Sequence, residues 1–92
     1  MEGTFIFVCD RGFVIVGKGG PSQDMPFAWK LTQSCTIRNW GTSNGLAELQ
    51  DGPTSSTQVD VVCQRTLPHR SIIDIIHLTK KGIEAWHKAF KS

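Results

Sequence analysis

Short runs of β-branched and aromatic residues follow one another along this chain with only a few residues between them. Residues 4–9 (TFIFVC) and 13–17 (FVIVG) are two such runs, separated by Asp10-Arg11-Gly12. A three-residue connection that ends in glycine is typical of a β-hairpin, because glycine adopts the left-handed conformation at little cost. Connections this short cannot hold the crossover that parallel strands need, so we expect a mainly antiparallel sheet.

Later segments also have the pattern or composition of strands. One of them alternates apolar and polar side chains, with a turn or bulge expected at Gln33-Ser34. The others are short and rich in β-branched residues, and the last of them is also compatible with a helix. The residues at 65–70, which include Pro68, are expected to form a turn or an edge. The predicted strands are residues 25–37, 59–63 and 71–78.

Two helices are predicted. Residues 44–50 follow Thr42 or Ser43 as a capping residue, and Gly52-Pro53 ends this short helix in the usual order. Thr79 is expected to cap a second, amphipathic helix over residues 80–90. The apolar stripe of that helix consists of Ile83, Trp86 and Phe90.

These elements predict an α+β fold. It consists of a small, mainly antiparallel β-sheet or a partly open barrel, with one short central helix and a C-terminal amphipathic helix. The length predicts a single domain over residues 1–92. A chain of this size buries only about 60–65% of its unfolded surface, so self-association would add to a marginal core. We therefore expect a homo-oligomer.

The three cysteines indicate a reduced protein. Cys9, Cys35 and Cys63 cannot all pair within one chain, and none lies in a C-x-x-C arrangement. Each lies in a strand-like run, where a free cysteine behaves as a small buried hydrophobic residue. The chain starts without the basic residues of a signal peptide, and no run approaches the roughly 18 apolar residues of a membrane span. A cytosolic location without membrane contact is expected.

A segment in the middle of the chain has the densest mixture of chemical groups. Within eight positions it contains a cation, an indole and several small polar side chains, and two interpretations remain open. It is either a strand-to-helix corner or a ligand pocket, in which the arginine would contact phosphate and the indole would stack on a base. Its glycines form neither a G-x-G-x-x-G nor a Walker motif. The candidate ligand-binding residues are Arg38, Trp40, Thr42, Ser43 and Asn44.

The same segment resembles a known group of proteins. Residues 38–53 read R-x-W-G-T-x-x-G-L-x-x-L-x-x-G-P, which is similar to the central signature of a family of small proteins common in bacteriophage and prophage genomes. The resemblance extends over residues 4–78 and includes Pro68 and Arg70 before the strand-like residues that follow. It implies a phage origin, and hence a location in the host cytoplasm. The family supplies no reaction.

The residues contain no catalytic pattern. His69, His77 and His87 lack the spacing of a compact metal motif, so we expect no catalytic residue, metal or cofactor. The leading hypothesis is a non-enzymatic phage protein that counters host antiviral defence. In its concrete form it is an oligomeric sponge that sequesters a cyclic nucleotide immune signal, and Arg11 and Arg70 would complete the pocket of a neighbouring subunit.

Two other classes of function remain open. One is a protein–protein inhibitor of a host defence complex, similar in role to an anti-CRISPR protein. The other is a nucleic-acid-binding accessory protein. Residues 65–92 carry six basic and two acidic residues, which form either a solvated helix face or a face that attracts anions.

Overall fold

The computed structural model describes residues 3–43 and 45–91, and its α+β architecture is the predicted one. Within those residues an open antiparallel sheet carries one α-helix on one of its faces, and short 3-10 helices connect several strands. The strands are β1 (Gly3–Cys9), β2 (Val14–Pro21), β3 (Ala28–Asn39), β4 (Gln58–Val59), β5 (Cys63–Pro68) and β6 (Ile72–His77). The helix α1 is Lys80–Lys91, and the 3-10 helices are Asp10–Gly12, Leu46–Asp51 and His69–Ser71.

The sheet is curled because its two outer strands are joined by a short connection. The strand order is β6-β1-β2-β3, and both β4 and β5 lie along the far edge of β3. Pro68 at the end of β5 and Ile72 at the start of β6 are four residues apart, which spans at most about 14 Å. Five strands laid flat would separate β5 from β6 by about 19 Å. The curl brings Trp29 of β3 into one groove with Ile75 of β6.

The two faces of the curled sheet bury different sets of residues. On the first, here called the helix face, strand side chains pack under α1 and the central 3-10 helix, and Trp86 is 0% exposed. This cluster contains Ile6, Val14, Val16, Cys35, Ile37, Leu49, Trp86 and Phe90. On the second, here called the open face, no helix of the described chain covers the side chains. This cluster contains Phe7, Cys9, Ile15, Leu31 and Leu67.

Glycines in β2 let side chains of β1 and β3 meet across the open face. A Cβ on Gly17 would lie 2.8 Å from Leu31 Cδ1, and one on Gly19 would overlap the Lys30 carbonyl. The missing side chains leave room for the Phe5 ring to contact Trp29, with 5.6 Å between ring centroids. The hairpin of β1 and β2 turns at the predicted position.

Irregularities in β3 and β6 interrupt the simple alternation of side chains between the two faces of the sheet. The register of β3 against β5 shifts between Leu31 and Ser34, which confirms the irregularity expected at Gln33-Ser34. The irregularity places Leu31 on the open face and Cys35 on the helix face. A further shift in β6 leaves Ile73 exposed.

The predicted strand at residues 59–63 was wrong. The chain pairs with β3 only at Gln58–Val59, then leaves the sheet and returns as β5. Asp60 lies in the gap, where its N–H donates to the Thr36 carbonyl at 2.9 Å. The residues expected to form a turn or edge at 65–70 belong mostly to β5, and the turn itself is His69–Ser71.

The central helix is a 3-10 helix and starts later than predicted. It begins at Leu46 after Gly45, whose φ of 96° reverses the chain, and it has no side-chain cap. The prediction that Thr42 or Ser43 caps it was therefore wrong. Asn44 lies outside the described residues.

The C-terminal helix is docked on the central 3-10 helix by polar contacts. Thr79 Oγ1 accepts a hydrogen bond from the Gly82 N–H at 3.0 Å, which confirms the predicted cap. The Trp86 indole Nε1–H donates to the Leu49 carbonyl at 3.0 Å, and the Thr79 N–H donates to the Gln50 carbonyl at 3.0 Å. A Cβ on Gly82 would overlap the Gln50 carbonyl. α1 is too short and too polar to cross a bilayer, and the same holds for the other helical segments among the described residues.

Candidate functional site

The central segment at residues 38–53 divides into two parts with different surroundings. Residues 46–53, here called the docked half, lie against α1: Leu49 is fully buried, and a Cβ on Gly52 would lie 2.6 Å from Ala85 Cβ. Residues 38–43, here called the exposed half, lie at the end of β3 and face solvent for much of their surface. The packing of α1 explains the docked half and leaves the exposed half without a structural role of that kind.

The backbone of the exposed half is held in place by a neighbouring turn. Thr57 Oγ1 donates to the Trp40 carbonyl at 2.7 Å, and Thr54 Oγ1 donates to the Gly41 carbonyl at 2.6 Å. Gly41 has a φ of 66°, and a Cβ there would overlap the backbone of Ser56. The corner is therefore fixed by its backbone, while the Trp40 side chain remains 42% exposed.

The guanidinium of Arg38 is oriented by an ion pair with Asp60. Its Nε donates to Asp60 Oδ1 at 2.8 Å, and 70% of its side chain is exposed. The hydrogen bond and the charge of Asp60 raise the pKa of the guanidinium, which stays cationic. Among the residues described, no protein group accepts from the terminal nitrogens of Arg38. Those nitrogens are the ones that a phosphate would engage.

The remaining predicted residues of the exposed half differ in burial. Thr42 is half-buried and Ser43 is exposed. Arg38 lies near the end of β3, and Trp40, Thr42 and Ser43 follow that strand directly.

Arg11 and Arg70 lie in two turns at the same end of the sheet. Cys9 pairs with Ile72, so the turn Asp10–Gly12 after β1 lies beside the turn His69–Ser71 before β6. Both arginines are exposed, and Arg11 has a φ of 62°. They are neighbours of one pocket, described next, whose lining includes a residue from each turn.

The sequence interpretation missed Arg65. It lies in β5, and its Nε donates to Ser34 Oγ at 2.9 Å. Its terminal nitrogens donate to Thr36 Oγ1 at 3.3 Å and to Cys63 Sγ at 3.1 Å. Arg65 also lines a pocket of about 320 Å³ on the open face. The available signal was the alternation of Arg65 with Leu67, which indicates a strand through residues that the sequence predicted as a turn or an edge.

The cysteines divide by burial. Burial raises the pKa of the Cys35 thiol to about 11, and it raises the pKa of Cys9 as well. Arg65 acts in the opposite direction on both thiols. Cys63 is exposed, so the expectation that all three are buried was wrong for this residue. It lies on the outer strand β5, beyond the cover of either cluster.

In residues 3–43 and 45–91, no three His, Cys, Asp or Glu side chains come together as a metal site would require. Comparison of the chain with protein-family models, with curated proteins and with solved structures finds no match.

Proposed function

We propose that this protein is a phage-encoded, non-enzymatic binding protein that counters host antiviral defence by sequestering a nucleotide immune signal. The ligand class is a cyclic di- or trinucleotide, held between subunits of a homo-oligomer in the host cytoplasm. The observation that carries the proposal is the fixed corner at Trp40-Gly41, where a partly exposed indole lies two residues along the chain from Arg38, whose guanidinium is oriented by Asp60.

The two side chains match the two chemical parts of a nucleotide. Stacking of a base on an aromatic ring contributes about 1–3 kcal/mol. The terminal nitrogens of Arg38 suit the oxygens of a phosphate, since Asp60 engages Nε and so orients the guanidinium plane. Because the backbone of Trp40 is already fixed, little conformational entropy is lost when a ligand stacks on it.

The exposure of these side chains supports an oligomeric site. A ligand on a surface where Arg38 is 70% and Trp40 42% exposed would keep much of its own surface in water. Small-molecule sites bury most of their ligand, so a second subunit would supply the missing wall. Arg11 and Arg70, both exposed, are the basic residues that we propose to complete it.

The proposal is tested by thermal unfolding in the presence of a panel of cyclic nucleotides, together with the solution mass. A ligand at about a hundred times its dissociation constant adds roughly 2.7 kcal/mol to the stability of the folded state. We expect a clear upward shift for at least one nucleotide at about a hundred micromolar, from a protein that is larger than a monomer. No shift with any member of the panel would overturn the proposal.

Two variants separate ligand binding from folding. Arg38→Ala should abolish the nucleotide-dependent shift and leave the unliganded protein folded. Lys88→Ala is the matched control, because it removes an exposed cation at a different place, on α1. This variant should retain the nucleotide-dependent shift. If Arg38→Ala unfolds the protein, the segment is a structural corner and the ligand site is lost as a hypothesis.

A protein–protein inhibitor of a defence complex is the second candidate function. Large apolar side chains are exposed near one another: Phe27 is 80% exposed and its ring lies 6.5 Å from that of His69, which shares a groove with Ile73. Exposed aromatic residues of this kind often mark protein interfaces. The natural protein should then capture a partner protein from host lysate, and the Phe27→Ser variant should not. If this variant still binds nucleotide normally, the result favours the inhibitor over the sponge.

A further inference from the structure

Arg65 carries a half-buried charge that no carboxylate of the described residues offsets by a direct hydrogen bond, although Asp10 lines the same pocket. Its hydrogen-bond partners are Ser34 Oγ, Thr36 Oγ1 and Cys63 Sγ, all on neutral side chains. Among the described residues Arg65 takes part in no salt bridge. Removing a charge from water is costly unless an ion of opposite sign compensates it, so this guanidinium favours the approach of an anion.

The pocket beside Arg65 has the composition of a site for a small amphipathic molecule. Its volume of about 320 Å³ lies at the lower end of the range typical of ligand pockets. Thr36 supplies a hydroxyl group next to the guanidinium, Ser71 is a second hydroxyl residue of the lining, and Phe13 and Leu67 supply apolar walls. The pocket lies between the two turns that carry Arg11 and Arg70, and its lining includes Asp10 of the first turn and Ser71 of the second.

The charge of Arg65 acts beyond its hydrogen bonds. It opposes the rise that burial causes in the pKa of Cys9 and Cys35, two buried thiols on opposite faces of the sheet. At Cys9 the charge of Asp10 raises the pKa by more than Arg65 lowers it.

We propose that this pocket binds the phosphate or carboxylate group of a small organic anion, with Arg65 as its counter-charge. The terminal nitrogens of Arg65 and the hydroxyls of Thr36 and Ser71 donate to the anionic group. Phe13 and Leu67 pack against the apolar part of the molecule. The site is separate from Arg38 and Trp40 and does not depend on the nucleotide proposal.

Asp10 makes the proposal more specific. This acidic residue of the first turn also lines the pocket. A carboxylate there repels an anion, so Asp10→Asn should tighten the binding of one. A ligand whose positive group pairs with Asp10 would bind more weakly to the same variant, which overturns the assignment to a simple anion.

The site is tested by two-dimensional NMR titration with phenyl phosphate, phenylacetate and inorganic phosphate at low salt. We expect saturable shifts of the amides of Thr36, Arg65 and Ser71. Phenyl phosphate should bind at least tenfold more tightly than inorganic phosphate, because only the former contacts the apolar walls. Whichever of phenyl phosphate and phenylacetate binds more tightly shows whether the site prefers a phosphate or a carboxylate group. Shifts that do not saturate, or that map elsewhere, overturn the proposal.

Variants then assign the role of Arg65. Arg65→Gln should weaken phenyl phosphate binding by tenfold or more. Lys30→Gln, which removes a cation at an exposed position of β3, should leave that binding unchanged. Arg38→Ala should also leave it unchanged, which distinguishes this site from the nucleotide site. Unchanged binding by a folded Arg65→Gln protein overturns the proposal. If that variant does not fold, the proposal is judged by whether the amide shifts of the natural protein saturate and map to the pocket.

Discussion

The docked half and the exposed half of the central segment adjoin in sequence and differ in nearly every physical respect. Residues 46–53 place Leu49 in the core and offer backbone carbonyls to α1. Residues 38–43 have their backbone fixed by Thr54 and Thr57, while the side chain of Arg38 is 70% exposed and Trp40 is 42% exposed. Within this one motif the fold requires Leu49, Gly41 and Gly52. Arg38 and Trp40 are the residues that we propose contact a ligand.

The difference teaches where to look for function in a small domain. A residue whose identity is required by packing or by backbone conformation needs no further explanation. Gly41 and Gly52 are of this kind, since both have positive φ and lie against other parts of the chain. Trp40 and Arg38 are not, because a corner built from Gly41 and the threonines would form with other side chains at those positions. Stability measurements on the two halves should therefore diverge.

The largest expected effect is on the docked half, from Trp86→Ala. This substitution removes a fully buried indole and leaves the Leu49 carbonyl without its donor, so the free energy of unfolding should fall by about 3–5 kcal/mol. Trp86→Phe keeps much of the apolar volume and should cost about 1–3 kcal/mol. Urea unfolding measures both. A loss below about 1 kcal/mol for the alanine variant would mean that docking of α1 does not stabilise this half.

Much of this arrangement could be predicted from local sequence. The hairpin, the helix cap at Thr79 and the end of the central helix at Gly52 depend on neighbours in sequence, and a pattern of a few residues records them. The close approach of Gly82 to the Gln50 carbonyl joins residues far apart in sequence, and a lone glycine in a helix does not reveal its partner.

The surroundings of Arg65 could not be predicted in the same way. A single bulge in β3 moves every later side chain of that strand to the other face. Ser34 and Thr36 therefore meet Arg65 only because of the register shift between Leu31 and Ser34. The exposed half lies between these cases: its residues were identified from their chemistry, and their fixed backbone became visible only in three dimensions.

An intermediate effect is expected from pH, through Cys35 in the core below the docked half. Burial raises its pKa from an ordinary 9.0 to about 11 in the folded state. The contribution to stability is complete below pH 9 and is lost as the pH rises through about 11, because the unfolded chain loses this proton first. The difference of about two units between the folded and unfolded pKa corresponds to a loss of about 2–3 kcal/mol in the free energy of unfolding.

Unfolding by urea at several values between pH 8 and pH 11 measures this loss, and Cys35→Ala is the control. The difference in stability between the natural protein and the variant should shrink across that interval. A difference that stays constant would show that the thiol in the folded protein is as accessible to water as in the unfolded chain. The core below Leu49 and Trp86 would then be less dry than its burial indicates.

The smallest effect is expected at Trp40, and it tests the comparison most directly. Trp40→Ala keeps both carbonyl hydrogen bonds of the corner, since these belong to the backbone of Trp40 and Gly41. The side chain is 42% exposed, so its removal should lower the free energy of unfolding by about 1 kcal/mol or less. A loss as large as that of Trp86→Ala would make the indole part of the core and would remove the reason to assign it to a ligand. A small loss, accompanied by loss of nucleotide binding, would separate the two halves by both measurements.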